Sequence, residues 1–136
     1  MTMEYARAGI GNVGSYQVSG IPYLTGSTLL SASFATNEAE QKFEFSQVSK
    51  AITVINISGV AIKIHYNSIA ATNVVGGHHY VTLSGSNTSI TMYHRCKEIY
   101  VSLLTSSADA DFEIVADLTT IDAGEMFTLT GSGLTI

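Results

Sequence analysis

The sequence predicts an all-β protein, an antiparallel β-sandwich or jelly roll with an extended N-terminal arm, and three observations carry that prediction. Short runs of β-branched and aromatic residues recur along most of the 136-residue chain. Gly, Ser, Asn or Asp bound each run at a spacing of roughly 8 to 12 residues, the spacing of sandwiches and barrels. Beyond one helical turn expected around Glu38 to Gln41, no segment sustains the 3.6-residue apolar period of a helix.

The elements follow in chain order. The first 35 residues hold five of the twelve glycines and the only proline, Pro22. Their apolar residues are too dispersed for an independent core, so residues 1–26 read as an extended arm and residues 27–136 as a single β-sandwich domain. Ordering a glycine-rich arm costs about 1–2 kcal/mol per residue. Tyr16, Ile21, Pro22, Tyr23 and Leu24 are therefore its candidate assembly residues, anchors to be buried against a neighbouring subunit. The alternative is that residues 16–35 form the first strands of the same domain.

Next, Phe43 and Phe45 alternate with Glu44 and Ser46, the two-residue period of a strand with one wet face. Ile52 to Ser58 is apolar on most of both faces and reads as a central strand. Ser58-Gly59 then leads into Val60 to Tyr66, where Ile62 and Ile64 alternate with Lys63 and His65; this pair is expected as a hairpin. Further strands are expected at His79 to Leu83, Ser89 to Tyr93, Ile99 to Leu104, Asp111 to Leu118 and Glu125 to Leu129. Turn residues at Gly76-Gly77, Gly85-Ser86-Asn87, Ser106 to Asp109 and Asp122 to Gly124 separate them.

Composition narrows the function. Only 12% of residues are charged, against about 25% in an ordinary soluble domain. Serines and threonines number 31 and charged residues 17, so the surface is wettable but weakly self-repelling, which suits burial against other copies. The net charge is -5 and the six cations are scattered, which argues against a nucleic-acid groove. Polar residues interrupt both uncharged stretches, Ala8 to Asn37 and Ile64 to His94, so no membrane span is expected. Met1 to Gly11 lacks the apolar region of a secretory signal. The single cysteine, Cys96, reads as a small buried hydrophobe with no disulfide partner.

Motifs for chemistry are weak. Gly9-Ile10-Gly11-Asn12-Val13-Gly14 matches the letters of a dinucleotide loop, but eight preceding residues leave little room for its strand, and Gly20 and Pro22 forbid its helix. His65, His78, His79, His94 and Cys96 are ligand types for zinc. Among them only His94 and Cys96 have the i, i+2 spacing that puts two ligands on one strand face, so no metal site and no cofactor is expected. No G-x-S-x-G elbow is present and no catalytic residue is assigned. Asp111, Glu113 and Asp117 alternate with Phe112, Ile114 and Ala116, the pattern of a solvated strand face with Asp109 in the preceding turn.

Taken together, the arm from Val13 to Ser27, the Phe43-Glu44-Phe45 strand and the runs Ala51 to Ile57, Ile62 to Asn67, His79 to Leu83, Arg95 to Val101 and Phe112 to Ile121 form a pattern covering most of the chain. In that pattern the chain resembles small virion structural proteins of tailed bacteriophages, in particular head decoration or cement proteins. The resemblance implies a non-enzymatic sandwich on the outside of a phage head, made in the bacterial host cytoplasm. Its implied partners are the major capsid protein and other copies of itself, often as a homotrimer, with extended termini clasping neighbours. Another virion part, such as a neck, tail or head-fibre base protein, is the alternative. A carbohydrate-binding module is a more distant reading, weakened by the absence of Trp and by tyrosines spread along the chain.

Overall fold

A computed structural model describes residues 21–69, 74 and 78–135, and among these eight strands form two four-stranded antiparallel sheets. The first sheet has the order β1 (Ile21–Leu29), β8 (Ala110–Asp122), β3 (Gln47–Asn56), β6 (Thr88–Met92). The second has the order β2 (Gln41–Glu44), β7 (Glu98–Leu103), β4 (Ile62–His65), β5 (Val81–Leu83). Apart from β4 and β5, which pair as neighbours, consecutive strands always change sheets. That alternation is the connectivity of a jelly roll.

Alternation along each strand builds the core between the sheets. In β8, Ala110, Phe112, Ile114, Ala116 and Leu118 are buried while Asp111, Glu113, Val115 and Asp117 face solvent. The acidic stripe therefore lies where the two-residue period puts it. From the other sheet, Ile62 and Ile64 on β4 and Ile99, Val101 and Leu103 on β7 meet this face. Phe43 stands edge-on to Phe112 with ring centroids 5.6 Å apart. As expected of a strand apolar on both sides, β3 is central, lying between β8 and β6.

Three expectations are corrected. The arm boundary at residue 26 falls inside β1: Ile21–Gly26 pairs in register with Leu118–Glu113 and is an edge strand of the sandwich. Residues 1–20, including Tyr16 and the glycine motif, lie outside the described residues. The expected hairpin from β3 to β4 is a crossing between sheets, because Asn56 turns the chain over. Its buried Nδ2 donates to the carbonyl oxygens of Val60 at 2.7 Å and of Leu83 and Ser84 at 3.3 Å, and its Oδ1 accepts from the Ser58 N–H and hydroxyl. Gly85 sits on the same corner. A Cβ there would lie 2.5 Å from the carbonyl carbon of Gly59, so only glycine lets the β5–β6 corner pack on the β3–β4 corner. Lastly, Glu125–Leu129 is not a strand. Asp122 accepts from Gly124 N at 2.8 Å and starts a 3-10 turn, Ala123–Glu125, after which Met126 and Leu129 pack on Val48 and Ile121 as a small second core.

The turn expected near Glu38 is present at Asn37–Ala39 with an inverted hand. All three residues have positive φ, 49°, 54° and 59°, a conformation that costs non-glycine residues roughly 1–2 kcal/mol each. This turn lies against β7, and it aims two carboxylates at the outer face of the second sheet.

Candidate functional site

β1 carries four of the five candidate assembly residues. The strand has no charged side chain, and Pro22, which cannot donate to a ladder, is accommodated near the start of an edge strand. Ile21 is 49% exposed and Leu24 71% exposed. Tyr23 turns inward instead, with its ring edge-on to Phe45 at 5.0 Å. Leu24 pairs with Val115, and the register continues through Thr53 to Thr91, so one row of apolar and hydroxyl side chains crosses the outer face of the first sheet. Ile57, also exposed, lies beyond the end of β3. The same face bears Asp111, Glu113 and Asp117. At its end, Thr28 donates to Asp111 at 2.5 Å and the Ser31 N–H to Asp109 at 2.7 Å, a hydrogen bond that holds the Asp109 carboxyl below its ordinary pKa.

The outer face of the second sheet is built differently, and alternation along β4 did not reveal it. Lys63 and His65, which alternate with the core-facing Ile62 and Ile64, are nevertheless 2% and 1% exposed because residues 30–40 and the chain after β4 cover them. Lys63 is ion-paired with Glu38 and lies 5.2 Å from the centre of the Tyr80 ring. Burial pushes its ammonium down to about 8. The His65 ring stacks on Tyr100 at 5.8 Å. Its Nδ1 donates to the Asn67 carbonyl at 2.7 Å, which leaves Nε2 to accept from Ser102 Oγ at 2.9 Å. Burial lowers the His65 pKa to about 4, so the ring is neutral at neutral pH with both nitrogens engaged. Glu40 accepts from Ser68 Oγ and from the Ile69 N–H. The Lys63–Glu38 pair and the hydrogen bonds of His65 and Glu40 together clamp the covering segment onto the sheet.

The remaining titratable groups fall into separate places. His78, His79 and Tyr80, consecutive in the chain, meet Tyr66 and His94 in a cleft of about 290 Å³ that Leu134 also lines. The Tyr66 hydroxyl is hydrogen-bonded to Nδ1 of His94. Cys96 does not join them: it is fully buried beside Ser49 Oγ at 3.3 Å, and burial pushes its thiol up to about 11. The i, i+2 relation of His94 and Cys96 thus brings them to no common site. Among the described residues no group of three or more His, Cys, Asp or Glu is placed to hold a metal ion. A second cleft, about 410 Å³, lies beside β2, where Lys42 bridges Glu44 at 2.8 Å and Glu98 at 3.0 Å.

No protein-family model matches the chain, and no curated protein matches it. Among the described residues no helix is long and apolar enough to cross a membrane.

Proposed function

We propose that this protein is a non-enzymatic capsid decoration, or cement, protein that binds the outer surface of a tailed-phage head and stabilises it through contacts with the major capsid protein and with its own copies. The observation that carries the reading is β1: an uncharged edge strand with Ile21 and Leu24 exposed, to which the glycine-rich leading segment attaches. A jelly roll with that edge, a sparsely charged surface and polar clusters engaged internally suits a component of a repeated lattice. Cement stabilises by binding the assembled shell in preference to its parts, so many weak contacts repeated over a head add up. The experiment is quantitative mass spectrometry on purified particles. A fixed ratio to the main shell protein, together with lower particle heat stability after the protein is stripped and recovery on its return, is the expected result. Absence from particles, or presence at only a few copies as for a neck or tail part, overturns it.

One observation favours a second reading. The fold brings Tyr66 and His94 beside the consecutive His78, His79 and Tyr80 around one cleft. Flat rings with polar tips are what a carbohydrate-binding module offers. Binding of soluble oligosaccharides by the isolated protein, without any particle association, would favour it.

A further inference from the structure

The edge of a β-sheet presents unpaired N–H and C=O groups, and proteins that remain apart guard such edges with charges, bulges, very short strands or a covering segment. The two sheets differ sharply in this respect. In the second, β2 carries Lys42 and Glu44 and β5 is three residues long. In the first, neither the nine residues of β1 nor the five of β6 include a charge. Among the described residues, β1 pairs only with β8 and β6 only with β3. Gln41 Nε2 donates to the Thr28 carbonyl, covering just the far end of β1.

We infer that β1 of one copy adds edge-on to β6 of a second copy, so that the first sheet continues across the interface. This deepens the assembly role proposed above and rests on it for its purpose. Strand directions permit the contact. β1 is antiparallel to β8, β8 to β3 and β3 to β6, so β1 and β6 are antiparallel to each other, and a copy rotated about an axis along the strands offers β6 to β1 in that sense. Pairing β1 with β6 uses both unguarded edges, whereas pairing two β1 strands would leave both β6 edges open. Stacking the first sheets face to face is opposed by Asp111, Glu113 and Asp117, which would confront the same charges on the other copy. Five paired residues bury less than the roughly 800 Å² per partner of a stable interface. Twenty further residues precede Ile21 in the chain, a length that at up to about 3.3 Å per residue is enough to add to that area. The contact is head-to-tail, so it closes into a ring when the rotation allows, a trimer being one such ring.

The test uses the full chain free of particles, by sedimentation velocity, with Leu24→Lys to block β1 and Ser89→Lys to block β6. Both positions are exposed, so each variant should keep the parent's β-sheet circular-dichroism spectrum and unfold cooperatively, its melting temperature lower only by what self-association adds to the parent. The parent should be an oligomer and each variant alone a monomer. An equal mixture of the two should form a dimer, because the intact β6 of the Leu24 variant meets the intact β1 of the Ser89 variant. A parent that is monomeric at micromolar concentration overturns the inference. So does loss of oligomers in Leu24→Lys but not in Ser89→Lys, the result for two β1 strands paired about a two-fold axis. Failure to bind particles with the oligomer intact would count against the capsid role and leave this contact standing.

Discussion

Alanine at Gly85 and alanine at Gly59 should change stability in opposite directions, although the two glycines touch. At Gly85 the new Cβ would sit 2.5 Å from the Gly59 carbonyl carbon and 2.8 Å from the carbonyl oxygens of Gly59 and Ser58. All three are backbone atoms, and Ser58 is held by Asn56 and by the Ser86 N–H at 2.6 Å, so the corner cannot yield by moving one side chain. Overpacking of this kind costs about 1–3 kcal/mol. The rigid neighbours put Gly85→Ala at the upper end, a fall of roughly 8–12 °C at about 4 °C per kcal/mol for a chain of this size. At Gly59 a Cβ meets nothing within 4 Å. There the smaller entropy of the unfolded alanine chain should stabilise by up to about 1 kcal/mol. Urea unfolding of both variants, with m-values compared, is the assay. Equal stability of Gly85→Ala and the parent would refute the contact between the two corners, and with it the sheet crossings at that end of the jelly roll.

Other outcomes follow from the buried groups and from β1. Because His65 is neutral in the folded protein with its pKa lowered to about 4, the unfolded chain binds more protons between that value and about 6.5. Stability should therefore fall as pH drops through that window, by on the order of 3 kcal/mol, and the slope should shrink in His65→Asn as followed by urea midpoints at pH 7, 6 and 5. Lys63→Met should cost about 2–4 kcal/mol by stranding Glu38, with part of the loss recovered in the double variant with Glu38→Gln. The Cys96 thiol should be inert to a thiol reagent at pH 8 in the native protein and react fully in guanidinium, since it is buried and its pKa is raised. Deleting residues 1–26 should markedly lower the melting temperature, because it strips most of β1 from β8 and removes the Tyr23–Phe45 contact; unchanged melting would restore the arm boundary at residue 26.

The sequence alone determined most of the strands from β2 to β8, because alternation is a local property: a side chain's face follows from its parity, whatever the strand's partner. The acidic stripe Asp111, Glu113, Asp117 and the central position of β3 were legible for that reason, and so was the burial of Cys96. Which sheet a strand joins is not local. Ser58-Gly59 has the composition of a hairpin turn, and only Asn56 reaching to Leu83 and Ser84, about 28 residues away in sequence, shows that the chain crosses between sheets there. Parity likewise put Lys63 and His65 on the outer face correctly, but their burial depends on the left-handed turn at Asn37–Ala39 lying over that face, which no period along β4 encodes. The same holds for the candidate surface. Ile21 to Leu24 could be seen as apolar residues needing a partner, yet whether they formed an arm or a strand was decided by β8, almost ninety residues on. Its solvated face and apolar core face left an edge for them to pair with, and exposed backbone hydrogen-bonding groups on that edge made pairing favourable.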